Sequence, residues 1–204
     1  MEPNSKNFEH FSLDILHKWA NELYPQLSKV ELDAIHHYCG TFAYDMNKYL
    51  RENKGEYDKA IPVLDQIHQK SFCPIDGIVF RGCIIHTIEG LDSCKVGDIL
   101  NDRGFISTST KEKEALNFAK HYAESPENFE VAFLTIDIPQ GTPCYFVAWD
   151  YLMGMLTGYE CIGEGEIIIK RNTNLLVKEI SERMMENKPI KTIHLGLIMI
   201  LQET

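Results

Sequence analysis

The 204-residue chain carries a formal net charge of −10, with 44% hydrophobic and 25% charged residues, the balance of a globular chain able to bury a core of its own. So acidic a chain lacks the basic face that a phosphate backbone requires, which excludes nucleic acid as a default partner; no apolar run is long enough to span a membrane. The opening MEPNSKNFEHF lacks the basic-then-apolar layout of a signal peptide, so any export is expected to use another route.

In chain order, the first third reads as helical. SLDILHKWANELY places Leu13, Leu16, Ala20 and Leu23 at helical spacing. Ser28 with Glu31 forms a capping box ahead of VELDAIHHYCGTFAYDMNKYLRE, a run that Gly40 is expected to divide and Gly55 to end. KAIPVLDQIHQKS predicts a further short helix with Pro62 in its first turn. From Ile75 the pattern changes to strands: GIVFRG, GFISTS, EVAFLTIDI, PCYFVAW, EIIIKRN, LLVKEIS and IKTIHLGLIMIL, the last two as a terminal hairpin. One helix, KEKEALNFAKHYAE, interrupts them with Ala115, Phe118, Ala119 and Tyr122 on one face, and Gly154, Gly158, Gly163 and Gly165 predict a mobile loop. Helices followed by strands predict an α+β fold. Cys39, Cys73, Cys83, Cys94, Cys144 and Cys161 include no C-x-x-C pair, which argues for free thiols and against zinc, and the His36–His37 neighbours point in different directions from a helix.

Three pieces carry chemistry. Arg81 lies in VFRG, Ser107-Thr108-Ser109 in GFISTS, and Glu164-Gly165-Glu166 precedes three isoleucines. If extended, Glu164 and Glu166 point to one face, where their repulsion is unfavourable unless a cation arrives between them. Each piece has a plain alternative: a paired surface arginine, a capping box made by Ser109 and Glu112, and two solvated acids.

Together, in this order, Arg, Phe-x-Ser-Thr-Ser and Glu-x-Glu resemble the signature of the cholera-toxin-like mono-ADP-ribosyltransferases. AIHHYCGTFAYDMNKYLRENKG is similar to a helical segment of their bacterial binary-toxin and exoenzyme branch, roughly I-x-x-Y-T-G-x-x-Y-x-x-I-N-x-x-L-R, with Cys39 and Met46 at its threonine and isoleucine. VGDILNDRGFISTSTKEKEALNFA and FLTIDIPQGT also read like that branch. The resemblance implies one domain over residues 1–204: N-terminal helices (1–72) packed on a two-sheet, mixed β-sandwich NAD-binding core (73–204). It implies NAD as a substrate and no metal; no G-x-G-x-x-G occurs.

The implied reaction moves ADP-ribose from NAD to an arginine of a target protein in a host cell and releases nicotinamide. Glu166 would stabilise the charge developing on the ribose, with Ser107 fixing its rotamer. Arg81 would clamp a phosphate, and Gly82 would let its backbone approach the nicotinamide amide. Thr108 joins the NAD-facing set while holding its strand, and Phe118 is the aromatic expected to pack on nicotinamide, with plain helix core as its alternative. Glu164 would orient the incoming guanidinium and take its proton, because glutamate at this place in the family goes with arginine acceptors. Tyr159 and Cys161, near where that branch often carries an aromatic, join Glu164 in acceptor recognition, and His121 stands where the branch tends to have an arginine. The implied setting is a bacterial effector or toxin, or a phage enzyme, acting in the cytoplasm after secretion or injection without a conventional signal peptide. An NAD glycohydrolase and a non-catalytic NAD-fold binding module are the competing readings.

Overall fold

The computed structural model describes residues 8–127, 129–152, 165–186 and 188–199. Helix α1 (Leu13–Leu23) starts at Ser12, whose hydroxyl accepts from the Ile15 amide, and buries Leu16, Trp19, Ala20 and Leu23. Helix α2 (Lys29–His37) has the expected capping box: the Ser28 hydroxyl accepts from the Glu31 amide, and the Glu31 carboxylate accepts from the Ser28 amide at 2.9 Å. The run does divide at Gly40, whose ψ of −123° interrupts a wide π turn over Tyr38–Phe42 before helix α3 (Ala43–Glu52). That helix ends on Asn53 rather than Gly55. Asn53 adopts the left-handed conformation (φ 56°), which asparagine tolerates better than most residues, and its amide bonds the Tyr49 carbonyl. Helix α4 (Ala60–Ile67) holds Pro62 in its first turn, as expected.

The strands are β1 (Glu9–His10), β2 (Gly77–Ile84), β3 (Ile99–Asp102), β4 (Ile106–Ser109), β5 (Val131–Ile138), β6 (Cys144–Phe146), β7 (Glu166–Ile169), β8 (Thr173–Met185) and β9 (Lys188–Ile198). Helix α5 (Glu112–Ala123) follows β4, and a short helix α6 (Trp149–Leu152) follows β6. The strand order is β3-β8-β9-β5-β2-β4-β7-β6, with β1 paired to β2. Pairings are antiparallel except β5–β9 and β1–β2, and β8–β9 is the predicted terminal hairpin. The expected two-sheet α+β core takes the form of two limbs. β2 and β4 meet through one residue pair, Phe80–Ser109, and this joins the limb β3-β8-β9-β5-β2 to the limb β4-β7-β6.

Two strands go beyond the sequence reading. β1 has two residues, and β3 ends in Asp102, a charge that argues for a loop until Arg51 is seen bonded to it. The run of isoleucines is explained directly: Ile167, Ile168 and Ile169 are all fully buried, so β7 is covered on both faces. β7 is also covered from the helical side. Buried His68, just past α4, stacks on Phe105 (ring centroids 5.5 Å apart) and lies against Tyr145. Its Nδ1 is 2.8 Å from the Leu64 carbonyl oxygen and its Nε2 3.3 Å from that of Ile168. A neutral imidazole has one N–H, so the shorter contact marks Nδ1 as the donor.

Burial pushes the His68 pKa down to about 4 from its ordinary 6.5, outweighing the two carbonyl contacts that favour the charged form. The unfolded chain therefore takes up a proton near pH 6.5 that the folded chain refuses until about pH 4, and stability falls with pH across that window. Between pH 7 and 5 this one group removes roughly 2 kcal/mol. Urea unfolding at both pH values is expected to show that loss, and His68→Phe to reduce it; an equal loss in the variant would assign the acid sensitivity elsewhere.

Candidate active site

The join between the two limbs is where the sequence motifs meet. In the β4–β7 pairing Ser109 stands directly opposite Glu166, and Ser107 opposite Ile168. Ser107, Ser109 and Glu166 therefore share a face, with Ser109, not Ser107, as the nearer neighbour of Glu166. Thr108 points the other way; it is buried, and its hydroxyl donates to the Ile167 carbonyl at 2.8 Å, tying β4 to β7. From β2, Arg81 reaches across to β4, and its Nη1 donates to the Ser107 carbonyl at 2.6 Å. The Arg81 Nε is buried without a hydrogen-bond partner among the described residues. This is a charged donor in reserve, of the kind an anionic group such as a diphosphate satisfies.

The helical layer enters the site through residues that the sequence reading did not single out. The Tyr38 hydroxyl lies 3.0 Å from Ser107 Oγ and accepts from Asn47 Nδ2 at 2.9 Å, while Asn47 Oδ1 accepts from the Phe105 amide at 2.8 Å. Burial pushes the Tyr38 phenol up to about 12; its bonds to Ser107 and Asn47 pull it down, Glu166 raises it and Arg81 lowers it. Tyr38 thus feels both charges of the site. The turn ahead of β4 is fixed by Arg51, whose Nε and Nη2 bond the two oxygens of buried Asp102 at 2.7 and 2.9 Å. The available signal was Asn47, a polar residue beside the apolar Met46 and near Leu50 inside a helix.

Several expectations change. The argument that Glu164 and Glu166 face one way needs an extended residue between them, but Gly165 is left-handed, with φ of 63°. A Cβ there would stand 2.2 Å from Thr110 Oγ1, so the middle position of the Glu-x-Glu motif requires glycine in this chain. Glu164, Tyr159 and Cys161 lie outside the described residues, as do Gly154, Gly158 and Gly163. Ser109 does not cap α5. The helix begins after Lys111, and the Ser109 hydroxyl accepts from the Lys111 amide instead. Phe118 is not core: it is 41% exposed, whereas Ala115 and Ala119 on the same helix are buried; His121 is exposed as well. Gly82 has a packing reason for being glycine. A Cβ on it would fall 2.0 Å from the Ala115 carbonyl oxygen and 2.6 Å from the Ala119 nitrogen, so α5 lies directly on β2 there.

The model of the ADP-ribosyltransferase exoenzyme family matches residues 11–198. The chain belongs to that family. It is an ADP-ribosyltransferase by family. No curated protein sequence matches it. Among solved structures, the fold is similar to that of the enzymatic component C2-I of the Clostridium botulinum C2 toxin (TM-score 0.67, 16% identity), over 95% of this chain and 50% of that one. This chain therefore spans about half the length of C2-I. It is also similar to C3stau2 from S. aureus, solved with NAD (TM-score 0.65, 19% identity, 96% of this chain and 99% of that one). A third is the Vis toxin of Vibrio splendidus, solved with agmatine (TM-score 0.65, 18% identity, 94% and 84%). At these identities the likeness concerns the fold. Among the described residues, no helix is long and apolar enough to cross a membrane.

The close seat of α5 on β2 yields a test. Gly82→Ala places a methyl group against helix backbone rather than against a movable side chain, and is expected to destabilise by roughly 1–3 kcal/mol or prevent folding. Chemical denaturation measures it; unchanged stability would mean that α5 can lift from β2 without loss.

Proposed function

We propose that the chain transfers ADP-ribose from NAD to an arginine of a target protein and releases nicotinamide. The observation that carries this reading is the convergence of Arg81, the serine motif and Glu166 at the β2–β4–β7 join, with the hydroxyl of Tyr38 within the influence of both charges. In this reading Arg81, with a buried Nε to spare, binds the diphosphate of NAD. Glu166 faces the ribose carbon that gains positive charge as the bond to nicotinamide breaks. Ser107, held by Tyr38, whose hydroxyl accepts from Asn47, lines the same face and keeps the strand in place for Glu166. Gly82 contributes backbone groups: β2 pairs β4 only at Phe80–Ser109, so its edge beyond that pair is free of a ladder to β4 and open to the nicotinamide amide. Exposed Phe118 is available to stack on a planar ring, and Thr108 keeps β4 registered against β7.

Arginine as acceptor follows from the Glu-x-Glu pair. Glu164 orients the guanidinium and takes its proton, with Tyr159 and Cys161 beside it in acceptor recognition. The Vis toxin, similar in fold, has been solved with agmatine, a small guanidine, which supports this choice. The target is a protein of a host cell and the site of action its cytoplasm; the toxins among the structural neighbours support that setting.

Two substitutions separate donor from acceptor chemistry, with NAD and agmatine supplied and both nicotinamide and ADP-ribosyl-agmatine measured. Glu166→Gln is expected to lower nicotinamide release about 100-fold or more, with or without agmatine. Unchanged release would remove Glu166 from the reaction. Glu164→Gln is expected to abolish the agmatine product while slow hydrolysis of NAD continues. Parallel loss of both would place Glu164 in donor chemistry, and wild-type release without any agmatine product would favour an NAD glycohydrolase.

A further inference from the structure

We infer that Tyr24 is a positioning residue for the transfer reaction, its hydroxyl fixing the backbone of Glu166 through the peptide group that joins Phe146 to Val147. This rests on the reading that Glu166 faces the ribose of NAD. The need for such a device lies in β6. It has three residues, it is the last strand of its limb, and its ladder to β7 ends at the Phe146–Ile167 pair. One bond reaches beyond that pair: the Val147 amide donates to the Glu166 carbonyl at 2.9 Å. The end of so short an edge strand frays unless something outside the sheet holds it.

Tyr24 holds it. The Phe146 carbonyl and the Val147 N–H belong to one planar, trans peptide group and so point in opposite directions. The N–H faces β7. The carbonyl faces away from β7, and there the Tyr24 hydroxyl donates to it at 3.1 Å. The same hydroxyl accepts from the Ala148 amide at 2.8 Å. One side chain thus satisfies two outward backbone groups that a further strand would have paired. It also completes a line of hydrogen bonds, from the Ala148 amide through the Tyr24 hydroxyl and the peptide group to the Glu166 carbonyl, in which each bond polarises the next.

Tyr24 is itself firmly placed. It is buried at the end of α1, with its amide bonded to the Ala20 carbonyl, and its ring stacks on Tyr151 of α6, centroids 4.9 Å apart. Trp19, earlier on α1, holds the start of β6: its Nε1 donates to Ser71 Oγ at 3.0 Å, and the Ser71 carbonyl accepts from the Cys144 amide at 3.3 Å. Helix α1 therefore grips both ends of β6. Burial pushes the Tyr24 phenol well above its ordinary 10, and the Glu166 charge adds to that rise. The hydroxyl stays protonated, as a donor must, and lies within the field of the carboxylate whose backbone it steadies.

On the β4 side the backbone around Glu166 is held by the Ser109 pair and by the Thr110 amide, which donates to the Gly165 carbonyl at 2.9 Å. Tyr24 supplies the hold on the β6 side. A small displacement of Glu166 from the ribose carbon costs rate rather than binding, because its charge is needed where positive charge develops. NAD itself is gripped by Arg81, on the other limb of the sheet.

The test measures nicotinamide release by the full chain with NAD and agmatine, in the wild type, Tyr24→Phe, Glu166→Gln and the double variant. Tyr24→Phe keeps the ring and removes only the hydroxyl. It is expected to lower kcat about 10-fold and to leave the KM for NAD unchanged. In the Glu166→Gln background it is expected to cost no further rate, because the group being positioned is already lost. Amide hydrogen exchange is expected to quicken at Val147. An unchanged kcat, a raised KM at constant kcat, unchanged exchange at Val147, or an equal further loss in the double variant would overturn the inference and leave the role of Glu166 intact. Release at the wild-type rate by Glu166→Gln would sink that role and this inference with it. If Tyr24→Phe does not fold, exchange in the wild type decides. The Val147 amide is then expected to be as slow as amides inside the β6–β7 ladder, and the fast exchange of a frayed strand end would overturn the inference.

Discussion

The site depends on one contact between the limbs of the sheet. β2 and β4 share only the Phe80–Ser109 pair, and beyond it the guanidinium of Arg81 crosses the gap to the Ser107 carbonyl at 2.6 Å. A fuller ladder would close this edge. A side chain in place of ladder bonds holds the limbs together and still leaves a donor, Arg81 Nε, without a hydrogen-bond partner among the described residues. The same residue that binds the two halves is thereby kept ready for an anion, and the strand carrying Glu166 is positioned through β4.

The surrounding structure makes that contact rigid. On one side α5 rests on β2, with Ala115 and Ala119 closest at Gly82, so β2 has a fixed backing. On the other, Tyr38, Asn47 and Arg51 from the helical layer bond Ser107, the Phe105 amide and Asp102, fixing both the start of β4 and the turn before it. His68, just past α4, packs on Phe105 and Tyr145 beside β7. The N-terminal helices are therefore part of the site's architecture: they supply hydrogen bonds that neither limb of the sheet provides for itself.

How much of this was legible depends on the range of the interaction involved. Strands with clear alternation or sustained apolar runs, the terminal hairpin and the Ser28–Glu31 cap rest on local pattern, and the sequence shows them directly. The motif residues on β2, β4 and β7 were identifiable because their order resembles a family signature, and the structure brings those strands together. What stayed hidden depends on distant partners. Asp102 looks like a loop residue until Arg51 neutralises it, and the packing need for glycine at Gly82 shows only once α5 is seen on top of it. The same-face argument for the two glutamates assumed an extended Gly165, and sequence spacing does not choose between extended and left-handed backbone, which glycine adopts about equally well. Phe118 sits three residues from Ala115 and one from Ala119, at the edge of the buried stripe, and periodicity alone does not say where that stripe ends.

Arg81 Nε–H offers the most direct measurement. With five arginines, a nitrogen-15 spectrum of the side-chain Nε–H groups is simple to assign, and the Arg81 signal is the one missing in Arg81→Lys. If the join of the two limbs is the NAD site, titration with NAD shifts that signal saturably, at the concentrations that give half-maximal nicotinamide release. An Arg81 signal that stays in place while nicotinamide is released would put NAD elsewhere on the protein and contradict the assignment of this site.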